Sequence, residues 1–238
     1  MIGFWFYNYD YAMWQLGLLV AVAPALLLAL WAQFKVRSTY AAAMQEPAGL
    51  SGAEAARQVL NGAGLHDVPI EMVPGHLSDH YDPRDRVLRL SPEVYQRRSL
   101  ASVGIAAHEA GHAIQHAHGY APLVIRNAAV PIASFGTGIS GLLLMLGLLM
   151  NAPYLLWGGI IAFAGFVFFQ LVNLPVEFNA SSRAKAELVG LGIVRHQDMG
   201  AVNSVLNAAA LTYVAATLQS VLTLLYYIFR ATSQSRDE

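Results

Sequence analysis

Residues 108–112 carry the pattern His-Glu-x-x-His. Residues four apart share one face of an α-helix, so the imidazoles of His108 and His112 can point at the same metal ion. Glu109 projects beside that ion, where its carboxylate can take a proton from a water molecule. Gly111 lets another segment approach this helix closely. The pattern predicts a zinc-dependent hydrolase with two histidine ligands and a glutamate general base.

The third metal ligand has two candidates. His118 lies six residues after His112, as in a longer histidine motif, but Gln115 replaces the glycine that would break the helix there. The helix should therefore continue and carry His118 away. Glu177 is a lone carboxylate at the edge of a long uncharged stretch, and such a group needs a partner. We expect Pro175 to end one element and Glu177 to lie in the first turn of the next helix, where a dipole-stabilised carboxylate is the competing role.

The composition indicates a chain with surplus apolar surface. It is 56% hydrophobic and 12% charged, whereas a soluble globular chain is about 25% charged. Cysteine is absent, so a metal ion must be held by histidine, aspartate or glutamate. The formal net charge of −1 predicts no recruitment of nucleic acid. The lipid bilayer is the expected partner for this surface.

Uncharged stretches predict about four transmembrane helices. Residues 11–34 are long enough to cross a hydrocarbon core of roughly 30 Å. Residues 127–150 and 154–174 form two further spans, joined by a tight turn at Asn151. Residues 199–229 are uncharged but begin with several polar residues. Whether this last segment spans the bilayer fully or lies as an amphipathic helix is left open.

Basic residues near the ends of these spans predict the orientation. If four spans are drawn, the following residues share one side: Lys35, Arg37, Arg126, Arg183, Lys185 and Arg195. Positive residues concentrate on the cytoplasmic side of membrane proteins. We therefore expect a multi-pass protein of the bacterial plasma membrane whose catalytic region faces the cytoplasm.

Residues 38–126 hold most of the charge and predict a small α+β region. A Ser-x-x-Glu capping box opens a helix over residues 51–60. Residues 68–73 and 86–90 are typical of short strands. A longer helix over residues 99–118 carries the histidine pair. The expected fold is a mainly α integral membrane protein with a small zincin-like catalytic region.

The sequence predicts five segments in the chain. They are an N-terminal anchor (1–37), the catalytic region (38–126), a transmembrane hairpin (127–174), the helix with the third ligand (175–198) and a C-terminal transmembrane helix with its tail (199–238).

Three further residues are candidates for contacts with substrate or the oxyanion. Tyr81 can donate to an oxyanion, whereas Asp82 is equally well explained by a turn before its proline. Arg183 can stabilise the oxyanion or pair with Glu177, although an interfacial residue is the competing interpretation. Residues 86–90 could form an edge strand that pairs with an extended substrate, or a plain packing strand.

Four blocks together resemble a known family. Residues 77–84 (Leu-Ser-Asp-His-Tyr-Asp-Pro-Arg), 88–91 (Leu-Arg-Leu-Ser), 108–115 and 175–183 are similar to the YugP-like neutral zinc metallopeptidases of bacterial membranes. The blocks run over most of the chain from about Tyr40 onward. A more distant similarity is to the HtpX and Ste24 type membrane proteases.

The resemblance implies an integral membrane protease that binds zinc. It implies His108, His112 and Glu177 as the ligands and Glu109 as the base, with no cofactor beyond the metal. One position departs from the family pattern, because Asn179 stands where an aspartate is expected. An asparagine supplies no negative charge beside the metal ligands, so metal affinity should differ.

These observations predict a metalloendopeptidase of the gluzincin type that uses Zn²⁺ to hydrolyse peptide bonds. A polypeptide, in particular a membrane-associated protein, is the expected substrate, and the oligomeric state is left open. A metal transporter would place histidines or acids inside the spans, but these spans contain neither. A non-catalytic zinc-binding scaffold would need no base beside the histidines.

Overall fold

The computed structural model describes the backbone of residues 2–234 and the side chains of residue 13 and residues 15–233. Its elements, in chain order, are α1 (Ile2–Ala43), α2 (Gly52–Gly62), β1 (Ile70–Met72), β2 (His80–Asp82), β3 (Val87–Leu90), α3 (Pro92–Gln96), α4 (Leu100–Ala117), α5 (Ala121–Leu149), α6 (Pro153–Gly190), a 3₁₀ turn (His196–Asp198) and α7 (Met199–Gln234). The expectation of a mainly helical chain with a small sheet is confirmed.

Four helices are long and apolar enough to cross a membrane. Their candidate spans are Gln15–Ala43, Ala121–Leu149, Pro153–Gly190 and His196–Ser233. Only 17–28% of each apolar window is buried inside the protein, so most of this surface needs an apolar surrounding. By length and composition the last helix qualifies as a span along with the other three. The count of four therefore agrees with the sequence.

The described chain forms two compact units. One contains the residues up to Trp31, residues 127–171 and the residues from Tyr213 on. Within it, Leu144, Leu156, Ile160 and Ala231 form a buried cluster that joins α5, α6 and α7. The predicted turn between α5 and α6 is present, and Asn151 adopts a φ of 50°, which asparagine tolerates better than most residues.

The second unit contains residues 32–126 and 172–212. Its α2 begins with the predicted capping box, in which the Ser51 amide donates to the Glu54 carboxylate and the Glu54 amide donates to the Ser51 hydroxyl. Helix α4 begins after Ser99, whose hydroxyl accepts from the Ser102 amide. Apolar residues of α2, α4 and β3 form one core together with Ala184 and Leu188 of α6.

The sheet corrects two expectations. Its strand order is β1-β3-β2, with β1 parallel and β2 antiparallel to β3. The edge-strand hypothesis for residues 86–90 is wrong, because β3 is the central strand and its backbone groups pair on both sides. Residues 80–82, where the sequence predicts no strand, form the edge strand β2. Pairing with β3 stabilises β2, although three residues between turns give almost no local strand signal.

Pro175 does not end an element, so the expectation of a helix start before Glu177 is wrong. Helix α6 continues through Pro175 to Gly190, which places Glu177 in the middle of a helix. A proline inside a helix removes one hydrogen bond and costs about 3 kcal/mol. Beyond it, the buried Ala184 and Leu188 pack into the core of the second unit. This burial offsets the cost of the proline.

Candidate metal centre

Helix α4 presents the two motif histidines side by side. The ring centroids of His108 and His112 lie 4.8 Å apart, as expected for residues separated by one helical turn. Each histidine side chain is 13% exposed, so both are largely withdrawn from water. The residues on the opposite face, including Ala106 and Ala110, are buried in the core and fix the rotation of the helix.

Helix α6 brings Glu177 to both histidines. One carboxylate oxygen, Oε2, lies 3.3 Å from His108 Nε2 and 3.7 Å from His112 Nε2. One donor atom from each of the three residues can be chosen so that all lie within 4.8 Å of one another. Among the described residues this is the single cluster of histidine, aspartate or glutamate that could hold a metal ion.

Gly111 makes this approach possible. A β-carbon placed on Gly111 would lie 2.7 Å from the Ala180 carbonyl oxygen on α6, which is closer than such contacts occur. The backbones of α4 and α6 can therefore meet at this level only because residue 111 has no side chain. The expectation that Gly111 permits a close approach is confirmed.

The donor set fits a zinc ion. Two imidazole nitrogens and one carboxylate oxygen are the ligands that zinc takes in catalytic sites. The Glu177 side chain is only 5% exposed, and the ion pairs found for it among the described residues are with the two histidines. A buried carboxylate without a lysine or arginine partner is costly unless another cation neutralises it. A divalent metal ion would meet that need.

The remaining ring nitrogens of both histidines also have partners. His108 Nδ1 lies 3.1 Å from the Ser181 hydroxyl, and His112 Nδ1 lies 3.0 Å from the Gln115 amide oxygen. Partners at Nδ1 leave Nε2 of each ring facing Glu177. Neither Ser181 nor Gln115 is predicted from the sequence as a partner of a metal ligand. Ser181 follows Glu177 by four positions, so helical spacing offers a signal, whereas Gln115 was considered only as a replaced glycine.

Glu109 is held at the edge of the sheet. Its carboxylate accepts a hydrogen bond of 3.1 Å from the Tyr81 backbone amide on β2. Burial raises the pKa of the Glu109 carboxyl group above its ordinary value. A raised pKa makes the carboxylate a better proton acceptor at a given degree of ionisation.

The other candidate residues have partners of their own. The Tyr81 hydroxyl lies 2.9 Å from His116 Nδ1, and Asp82 accepts from the Arg84 amide and pairs with Arg89 at 2.7 Å. Arg183 donates to the Asn179 side chain at 2.8 Å. Its guanidinium also contacts His118, which is outside the cluster of three residues.

A cavity of about 420 Å³ lies along α4, in the direction of its C-terminus. Tyr81 and His116 line it on one side, and residues 64–68 line it on another. Tyr81 thus takes part in two features, because its backbone amide contacts Glu109 while its ring borders the cavity.

Comparison with known proteins points to one family. A family model described as "Putative neutral zinc metallopeptidase" matches residues 18–232. A curated relative, "Putative membrane protease YugP" of Bacillus subtilis (strain 168), is 49% identical over 206 residues. That alignment covers 86% of this chain and 92% of the relative. No solved structure matches the chain. The resemblance inferred from the sequence blocks is confirmed.

Proposed function

The chain belongs to this family of neutral zinc metallopeptidases, and we propose that it hydrolyses peptide bonds at the membrane with Glu109 as its general base. One observation carries the proposal. Ligand atoms of His108, His112 and Glu177 lie within 4.8 Å of one another, and Glu109 stands next to the first of them in the chain. A glutamate ligand from a separate helix is the arrangement of the gluzincin type.

His108, His112 and Glu177 would hold the metal. A zinc ion at this position would lower the pKa of a water molecule to about 7 and polarise a carbonyl group. The Nδ1 atoms of both imidazoles have partners of their own, which leaves Nε2 of each ring facing Glu177. Glu177 supplies negative charge from a side chain that is almost fully buried.

Glu109 moves the proton. Its carboxylate accepts a proton from the attacking water, whose oxygen forms a bond to the scissile carbonyl carbon. The carbon–nitrogen bond then breaks, and the Glu109 carboxylic acid donates the same proton to the departing amine nitrogen. The products are a carboxyl group and an amine, and the carboxylate is regenerated. The Tyr81 amide keeps Glu109 in place.

The substrate is a polypeptide, and a membrane-associated protein is the class that fits an enzyme with four candidate spans. We propose that strand β2 rather than β3 pairs with it, because β2 is an edge of the sheet. The Tyr81 amide at that edge donates to Glu109, so a substrate backbone that donates to the Tyr81 carbonyl would lie beside the base. Tyr81, Asp82 and Arg183 stay proposed contacts for substrate or oxyanion.

The location follows from charge and hydropathy. We propose that the catalytic region faces the cytoplasm of a bacterial plasma membrane, since six of the seven basic residues that flank the spans share its side and Arg230 alone lies at the opposite end of the last span. A metal transporter is not favoured, because the metal cluster lies in the unit with the sheet. A non-catalytic zinc scaffold would leave the placement of Glu109 without a purpose.

Zinc content of detergent-purified protein tests the proposal. We expect about one zinc per chain in the wild type, and a sharp loss in Glu177→Ala while the helical content is unchanged. His118→Ala is the matched control and should retain zinc. Equal zinc in the wild type and Glu177→Ala would refute Glu177 as the ligand. Absence of zinc in the wild type after supplementation would refute the enzyme assignment.

A further inference from the structure

Gln115 is a fully buried polar side chain that connects the two helices of the metal centre. Its exposed fraction is 0%. Its amide nitrogen lies 2.8 Å from the Val176 carbonyl oxygen and 3.0 Å from Asn179 Oδ1, both on α6. Its amide oxygen lies 3.0 Å from His112 Nδ1 on α4. The side chain therefore contacts the residue just before Glu177 and one of the two histidines together.

The contact with Val176 fixes the orientation of this amide. A backbone carbonyl only accepts hydrogen bonds, so the group of Gln115 that faces Val176 must be the NH₂ group. The oxygen of the amide then faces His112, and an amide oxygen only accepts. His112 Nδ1 must consequently carry a proton. In a neutral imidazole this leaves the lone pair on Nε2, the atom that lies 3.7 Å from Glu177.

Arg183 extends the same chain of contacts. Its Nε donates to Asn179 Oδ1 at 2.8 Å, and this oxygen also accepts from Gln115. Asn179 is thereby oriented with its oxygen between two donors. Asn179 is thus linked to His112 through the Gln115 amide.

The tautomer of the other histidine, His108, is not constrained in this way. His108 Nδ1 contacts the Ser181 hydroxyl, which can donate or accept. Ser181 is therefore compatible with either tautomer of His108, whereas Gln115 is compatible with only one tautomer of His112.

We propose that Gln115 is a positioning residue for metal binding, which sets the Nδ1–H tautomer of His112 so that the Nε2 lone pair faces Glu177. The role rests on the proposed function, in which these residues bind zinc. Partners of this kind typically change metal affinity by about 10–100-fold when they are removed.

Two variants separate tautomer control from simple packing. Gln115→Met removes both the acceptor for His112 and the donor to Val176. Gln115→Glu keeps an acceptor for His112 but loses the donor to Val176 and Asn179. If the only role of Gln115 were to hold α6 against α4 through its amide nitrogen, both variants would lose metal affinity equally, because both lose the hydrogen bonds to Val176 and Asn179.

The measurements are zinc affinity by chelator competition and the visible spectrum of the cobalt-substituted protein, on detergent-purified full chain. We expect Gln115→Met to bind zinc about 10–100-fold more weakly and to change the cobalt spectrum. Gln115→Glu should restore most of the affinity. Wild-type affinity and spectrum in Gln115→Met, or equal losses in both variants, would overturn the proposed role while leaving the zinc enzyme intact.

A measurement on the unmodified chain covers the case in which the variants fail to fold. Solid-state NMR of ¹⁵N-histidine-labelled, zinc-free protein reports which ring nitrogen of His112 is protonated, with the signal assigned by its loss in His112→Ala. We expect the proton on Nδ1. A proton on Nε2 would overturn the inference. If the wild-type protein does not bind zinc, the proposed function is refuted. That result is distinct from both NMR outcomes.

Discussion

The backbone amide of Tyr81 donates a hydrogen bond to the Glu109 carboxylate across 3.1 Å. This contact joins an edge strand to helix α4, which carries the two motif histidines. In the ladder, His80, Tyr81 and Asp82 lie opposite Arg89, Leu88 and Val87 of β3. The Leu88 amide donates to the Pro69 carbonyl on the β1 side, so the Tyr81–Leu88 pair is the one without hydrogen bonds between β2 and β3. The Tyr81 amide therefore points away from β3 and towards α4. The position of Glu109 therefore depends on a strand of only three residues.

Replacing Glu109 by glutamine should remove the proposed base without removing the proposed metal ligands. The amide is nearly the same size but cannot take a proton from water. We expect peptide cleavage to fall by about 100-fold or more, in the range that general acid–base catalysis contributes. Zinc content should stay near that of the wild type. Cleavage of a denatured protein substrate is the assay, and the exposed Glu46→Gln is the control. Retained cleavage by Glu109→Gln would refute its role.

Gly111 offers a test of how closely α4 and α6 must meet. In Gly111→Ala the new methyl group would lie 2.7 Å from the Ala180 carbonyl oxygen, so the helices must move apart. Overpacking of this kind costs about 1–3 kcal/mol in the free energy of unfolding. We also expect weaker zinc binding, because Glu177 follows the movement of α6.

The matched control is Gly200→Ala in α7. No atom lies within 4 Å of a β-carbon placed there, and alanine favours a helix over glycine. This variant should be as stable as the wild type or slightly more stable. Thermal unfolding by circular dichroism and zinc affinity compare the two variants. An unchanged zinc affinity in Gly111→Ala would show that the spacing is not critical.

At the candidate metal centre, the sequence predicts the pairing of the two histidines but not the course of the helix that carries Glu177. The spacing of His108 and His112 is a local property of a helix, so the sequence was sufficient to place them together. Glu177 was identified from its isolation in an uncharged region, but its helix was expected to begin at Pro175. The apolar face beyond Pro175 packs into a core formed by distant segments, and no local rule includes that stabilisation.

The sheet shows the same limit. Residues 86–90 have the alternation of a strand, and β3 is indeed present. Its central place in the order β1-β3-β2 depends on which segments return to it, which is a long-range property. The sequence does not predict the contacts of Gln115 and Ser181 with the two histidines, because spacings of three and four residues are common in helices and do not by themselves select a partner.

Tyr81→Phe tests the role of the phenol. The Tyr81 hydroxyl contacts His116 Nδ1 at 2.9 Å, and the bond to Glu109 comes from the backbone amide. We expect the variant to lose about 1 kcal/mol of stability and to retain cleavage within tenfold. An oxyanion donor would instead cost about 100-fold or more in kcat. Measurement of kcat and KM on a peptide substrate distinguishes the two roles.

Asp82→Asn tests the turn before β3 through its pH dependence. The Arg84 amide and then the Arg89 guanidinium hold the pKa of the Asp82 carboxyl below its ordinary value. A lowered folded-state pKa stabilises the protein above the unfolded-state value of 3.8 and loses that effect as the pH falls. We expect Asp82→Asn to lower the thermal midpoint at pH 7 and to show a smaller difference from the wild type at pH 3. A difference of equal size at both pH values would exclude an ionised Asp82 as the cause.

The orientation of the chain can be measured directly because it contains no cysteine. Single cysteines can be introduced as Gln58→Cys on α2, in the polar region, and as Met150→Cys at the turn between α5 and α6, where Met150 is 63% exposed. A catalytic region in the cytoplasm requires this turn to face outside. In right-side-out vesicles, a membrane-impermeant maleimide should label Met150→Cys at once. It should label Gln58→Cys only after the membrane is permeabilised, with the cysteine-free parent as the background. The reverse pattern would place the catalytic region outside and contradict the orientation derived from the basic residues.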